Sequence, residues 1–158
     1  MLAECDMILA YDSDFFGLLV ASSRRTVGAE PAFFEPGLPG RRPSAAWLYD
    51  EARHPVLAHN TDPDPRFIYA NKAAQACFEY GWDEIVSLPS RLSAEPVDRE
   101  ERQRLDVARQ GFTTGYSGWR IAKSGRRFFI EDGVVWQLID EDGAVRGQAA
   151  TFAKWRDA

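Results

Sequence analysis

Asp132 carries the most pointed chemistry in the chain. The run Phe128-Phe129-Ile130-Glu131-Asp132-Gly133-Val134-Val135-Trp136 reads as a strand. Alternation puts Asp132 on the face of Phe128, Ile130, Val134 and Trp136. A carboxylate buried there needs a cation, several donors or a raised pKa, because an unpaired buried charge is costly. Arg91, in the loop after a short helix, is the expected partner. A carboxyl held under a curved sheet can shuttle a proton, as in small α+β isomerases. The competing reading is a bulge beside Gly133 that turns Asp132 outward and removes that chemistry.

Other side chains define a candidate pocket around Asp132. Trp82, Trp119 and Trp136 could stack on a planar ligand, although tryptophans more often fill a core. Ser117 and Thr151 add hydroxyls, and Phe78 adds a ring from a helix. Asn71 reads as a helix cap that also fastens strand to helix. Enzyme signatures are lacking: no Gly-rich phosphate loop, no nucleophile elbow, and no histidine near a Ser or Cys in sequence. Cys5 and Cys77 form neither a disulfide framework nor a metal spacing, and His54 and His59 cannot make a zinc site alone.

The elements that must position these residues follow from local signals. Phe67-Ile68-Tyr69 is extended and breaks at Asn71, after which Ala70, Ala73, Ala74, Cys77 and Phe78 recur at helical spacing. Gly81 is expected to stop that helix, and Trp82 to Val86 to begin another that ends at Pro89. Pro55 to His59 is a first strand, and Asp62-Pro63-Asp64-Pro65 a rigid turn. Asp98 to Gln110 reads as a charged helix across the pocket mouth. Three strands follow, Phe112 to Ala122, Arg127 to Ile139 and Val145 to Trp155. A two-residue Ser124-Gly125 turn would set Ile121 opposite Phe128, Trp119 opposite Ile130 and Ser117 opposite Asp132. That choice makes Trp119, Ser117, Asp132, Val134, Trp136 and Leu138 one pocket face, and Tyr116, Arg120, Phe129, Glu131 and Gln137 the outer one. An Asp142-Gly143 turn likewise sets Ala149 beside Trp136 and Thr151 beside Val134.

This order of strand, Asn-capped helix, glycine, aromatic and acidic pair resembles the helical half of a PAS domain. The glycine hairpins Lys123-Ser124-Gly125-Arg126 and Glu141 to Gly147 continue the resemblance. More narrowly, NKAAQACFEYGWDEIVSLPSRLSAEP, YSGWRIAKSGRRFFIEDGVVW and GQAATF are similar to the MEKHLA domain, a PAS-related module. The resemblance implies an α+β fold: a PAS-like antiparallel sheet with helices on one face, plus an N-terminal helical extension. It also implies a sensory or protein-interaction role in signalling without catalysis, with the Asp132 isomerase as the alternative. It leaves the cofactor unknown. Flavin-binding light sensors of this class carry asparagine-cysteine-arginine where this chain reads Pro89-Ser90-Arg91, which disfavours a covalent flavin adduct. Haem sensors use a histidine on the helix before the sheet; Asp98 to Gln110 has none, so haem is disfavoured too.

At 158 residues, 45% apolar and 27% charged, the chain has the composition of one ordinary globular domain. A net charge of −5 argues against nucleic acid and anionic lipid as partners. No apolar stretch is long enough to span a bilayer, and the acidic start MLAECDMILA is unlike a signal peptide, which points to a cytoplasmic protein. Residues 1–43 divide into a helix from about Ser13 to Val27 and a linker containing Pro31, Pro36, Pro39 and Pro43; residues 44–158 form the PAS-like domain. Phe15, Phe16, Leu19 and Val20 make the helix too apolar to stand alone, so it is expected to cover the outer-face patch of Tyr116, Phe129 and Phe152, in the same chain or a twofold-related one. Expected partners are a small-molecule ligand, a second copy in a homodimer, and a separate output protein.

Overall fold

The computed structural model describes residues 9–34, 43–94, 104 and 106–158. Helix α1 (Ser13–Thr26) starts where the Asp12 carboxylate accepts the Asp14 N–H, and it ends at Val27 with Arg24 and Arg25 in its last turn. Ser44 caps α2 (Ala45–Asp50) by accepting the Trp47 N–H at 3.1 Å, and Trp47, Leu48 and Tyr49 are all buried. Strands β1 (Val56–His59) and β2 (Phe67–Ala70) follow, then α3 (Lys72–Phe78) and α4 (Trp82–Ile85). A 3-10 turn, η1 (Ser90–Ser93), and a helical stretch over 106–110 lead into β3 (Phe112–Ile121), β4 (Arg127–Ile139), β5 (Val145–Thr151) and β6 (Lys154–Asp157). Most of the helix expected over Asp98 to Gln110 lies outside the described residues.

The sheet is antiparallel in the order β2-β1-β5-β4-β3, with β6 pairing the first half of β4. Asn71 ties the β2–β1 end of the sheet to the helices. Its side-chain oxygen accepts from the Ala74 N–H at 3.0 Å and the Val56 N–H at 2.9 Å, and its amide donates to the Leu48 and His54 carbonyls. Four bonds from one fully buried amide satisfy groups from four segments. The stop of α3 differs from expectation. Glu79, at φ 65°, takes the left-handed position, while Gly81 starts α4, its N–H donating to the Glu84 carboxylate at 3.0 Å.

The first long hairpin also differs, and the difference decides the faces. Ala122 donates to the Arg126 carbonyl and Gly125 to the Ala122 carbonyl, so the loop is three residues long, with Gly125 at φ 91°. One extra loop residue moves the register by one and turns every side chain over. Trp119 therefore pairs with Phe129, Arg120 with Phe128 and Ile121 with Arg127. The second hairpin has the same three-residue form, closed by the Asp140 N–H to Ala144 carbonyl bond. Here an irregularity between Leu138 and Ile139 takes the shift back out, and the expected pairs Trp136 with Ala149 and Val134 with Thr151 are present.

A second switch lies at Asp132, which adopts φ 56° and is exposed. The β3–β4 register is irregular on both sides of the Tyr116–Gly133 pair, and Gly115 opposite is left-handed at φ 63°. The bulge exchanges faces along β4. Phe128 and Ile130 face α3 and the cavity, and so does Val135 beyond the bulge, whereas Trp136 and Leu138 face the other way. Helix α1 packs on that other face. The Trp136 indole N–H donates to the Leu19 carbonyl at 3.2 Å, and Ser22 Oγ accepts the Ile139 N–H at 2.8 Å. Phe33, fully buried, adds its ring 6.2 Å from Trp136, and Phe34 sits 6.3 Å from Trp47, so the start of the Pro-rich linker is pinned to the body.

Candidate ligand-binding site

On the face of the sheet opposite α1 lies a cavity of about 480 Å³. Its floor is the sheet: Leu57 and His59 from β1, Gln148 and Ala150 from β5, and Ile130 and Val135 from β4. Phe67, Phe78 and Phe152 close its sides with rings, and Tyr116 and Arg120 come from β3. The roof is η1 with Val107 and Arg104. Backbone pairing hangs this roof in place: Phe67 donates to the Leu88 carbonyl, Ser87 to Phe67 and Ser90 to Pro65, and Ala94 bridges Arg120. Ser90, Arg91 and Ser93 are thereby held over the opening.

The polar groups around the cavity fall into two sets. At the mouth, Arg91 Nε lies 3.2 Å from an Asp64 carboxylate oxygen, and both side chains are largely exposed. Arg120 donates to the Tyr116 hydroxyl and to the Trp119 carbonyl, its guanidinium 5.2 Å from the Tyr116 ring centre. On the floor are His59 and Gln148, which are paired in register across β1 and β5. His59 Nδ1 is 2.8 Å from the Asn60 carbonyl oxygen, so that nitrogen carries the proton and Nε2 is the acceptor. Burial holds the His59 pKa below the ordinary imidazole range.

The structure separates the residues expected to form one pocket. Phe78, Arg91 and Thr151 line the cavity. Asp132 does not: the bulge turns it outward, and Arg91 pairs with Asp64 instead. Trp136 is fully buried on the α1 face, and the one-residue register shift puts Trp119 beside Phe129, ring centres 5.2 Å apart. Arg127 stacks at 4.9 Å on Trp119, so that tryptophan is a surface ring under a cation. Trp82 packs edge-on against Tyr49 and Tyr69, away from the cavity. Ser117 is buried but does not line the cavity, and Asn71 is wholly occupied by backbone groups. Tyr116 and Arg120, expected on the outer face, are in the cavity wall. Sequence reasoning missed His59 and Gln148 as lining residues, and Phe152, expected on the outer face with Tyr116 and Phe129, also lines the cavity. Alternation puts His59 on the face of Leu57 and Gln148 on that of Ala150, but the non-local pairing of β1 with β5 carries no local signal.

Neither a thiol nor a metal cluster marks the site. Cys77 is buried on α3, where burial pushes its pKa up to about 11, and it is the free cysteine among the described residues. No cluster of His, Cys, Asp and Glu suited to a metal occurs among the described residues. Ser90, which the sequence resemblance sets against the adduct-forming cysteine of flavin light sensors, lines the cavity wall.

A five-stranded antiparallel path with helices packed over one face is a PAS-like architecture. Solved structures agree. A PAS domain of a protein from Colwellia psychrerythraea is similar at 19% identity and TM-score 0.57, covering 72% of this chain and 92% of its own. A PAS domain from a two-component sensor histidine kinase is similar at 20% identity and TM-score 0.54, covering 71% and 91%. A light-oxygen-voltage domain studied with a flavin analogue is similar at 16% identity and TM-score 0.55, covering 67% and 78%. Among curated proteins no match is found. The MEKHLA domain family matches residues 13–157, and the chain belongs to that family.

Proposed function

We propose that the chain is a sensory module in signalling, which holds a small molecule under η1 and acts without catalysis. The cavity carries this reading. Its volume is that of a small-ligand site, its interior is mainly apolar, and a few polar groups converge on it. The similar domains belong, by their descriptions, to a sensor histidine kinase and to light-oxygen-voltage proteins, which suits a sensory role. The isomerase alternative loses its support with Asp132 in solvent. In this proposal residues 1–43 serve the sheet of 44–158, the setting is cytoplasmic, and the response passes to a separate output protein. A homodimer would use the Trp119–Phe129 side of the sheet, which α1 leaves open.

Native mass spectrometry of freshly purified protein tests the reading, alongside Ile130→Trp, which fills the cavity from its floor. A retained or added small molecule should bind the parent chain, and the variant should lose it while keeping its fold. A chain that stays empty and binds nothing from a small-molecule extract would refute the proposal. Sedimentation over a concentration series tests the dimer, which Trp119→Asp should dissociate.

A further inference from the structure

Most polar groups around the cavity already have a task. Arg91 answers Asp64, Thr151 Oγ1 donates to the Pro55 carbonyl, Ser93 Oγ donates to the Ser90 carbonyl, and Arg120 holds Tyr116 and the Trp119 carbonyl. The floor is different. Gln148 makes no side-chain hydrogen bond to any described residue, and His59, which lines the cavity, bonds through Nδ1 alone among them, so its Nε2 lone pair is without a described partner. Cross-strand partners sit side by side on one sheet face. His59 thus offers an acceptor beside an amide that offers both a donor and an acceptor. Beside this pair stands the ring of Phe67, the β2 partner of His59, and the rest of the cavity is mainly apolar. A polar pair in such a setting gains most from a partner that answers both groups at once.

We infer that His59 and Gln148 form a reading edge for a planar heterocycle bearing a cyclic amide. The ligand N–H donates to His59 Nε2, its carbonyl accepts from the Gln148 amide, and its rings pack against Phe67 and the apolar wall beyond it. The neutral His59 tautomer suits this role, since a protonated ring would turn the acceptor into a donor. The inference rests on the small-ligand reading above and narrows it to one ligand class.

The test uses the full chain and two probes of nearly equal shape, 2-quinolone and 1-methyl-2-quinolone, followed by ligand-observed NMR titration. The second probe keeps the carbonyl and the rings but has no N–H. The parent chain should bind 2-quinolone on the order of tenfold more tightly, one buried hydrogen bond's worth. Gln148→Leu should weaken both probes by removing the carbonyl's donor. His59→Phe should abolish the preference between them while leaving 1-methyl-2-quinolone bound. Equal binding of the two probes by the parent chain overturns the inference, as does a preference that survives His59→Phe. Binding of neither probe overturns it as well. The broader small-ligand reading then stands or falls by the native mass measurement.

Discussion

Asp132 shows how much one backbone angle decides. With φ at 56°, a non-glycine residue is strained, and its exposed carboxylate has no apolar surroundings to compensate. Asp132→Gly should therefore be neutral or stabilise by up to about 1 kcal/mol in a denaturant melt. A buried, paired aspartate would instead lose about 3 kcal/mol or more on losing its charge. Gly147 is the opposite case. A Cβ there would stand 2.4 Å from the His59 carbonyl oxygen, so β1 and β5 approach too closely for any side chain. Gly147→Ala should cost about 1–3 kcal/mol and disturb the His59–Gln148 pair. His59 adds a pH signature. Its folded pKa lies below the ordinary value of 6.5, so the unfolded chain takes the proton first. The contribution is complete above pH 6.5 and is lost as the pH falls from there toward the folded value. Melts between pH 7 and 5 should show the loss, and His59→Gln should flatten that part of the curve. The Asp140, Glu84 and Glu79 carboxyls are held below their ordinary range by donors and cations, and they act only at lower pH.

At the scale of elements, the start of α3 was legible and the lengths of the hairpin loops were not. Asn71 and the helically spaced Ala73, Ala74, Cys77 and Phe78 announce α3 because a cap and a helical face are local. A hairpin register depends on one residue of loop length, and Lys123-Ser124-Gly125 fits a two-residue or a three-residue turn equally well by composition. The wrong choice turned β3 over and put Trp119 in the cavity in place of Tyr116 and Arg120. The second hairpin holds the same ambiguity, and only the irregularity beside Ile139 restored the expected partners. Helix α1 is held to the sheet by apolar contact and by Ser22, whose Oγ both accepts the Ile139 N–H and donates to the Ile139 carbonyl. Ser22→Ala leaves that buried end of β4 unanswered. It should cost about 1–3 kcal/mol in thermal or chemical unfolding, with faster amide exchange at Ile139.

For the whole molecule, the expectation that the N-terminal helix covers the sheet is met within one chain, although on Trp136 and Leu138 rather than Tyr116 and Phe129. Deleting residues 1–28 uncovers Trp136 and the buried partners of Phe15 and Leu19. The truncated chain should aggregate or bind a hydrophobic dye, and an unchanged melting temperature with clean monodispersity would contradict the packing described. Architecture was legible because the order of elements survives errors of register, whereas a site is a statement about faces and does not. The exchange of faces at Asp132 has a mechanical side. Val135 touches the cavity and Trp136, the next residue, grips the Leu19 carbonyl from behind. A molecule in the cavity and the N-terminal helix would thus press on consecutive links of a single strand, like two hands on either side of a thin board. Whatever displaces β4 from the front is felt at α1 after one peptide unit, so the shortest mechanical route out of the cavity runs backward through the sheet to the beginning of the chain.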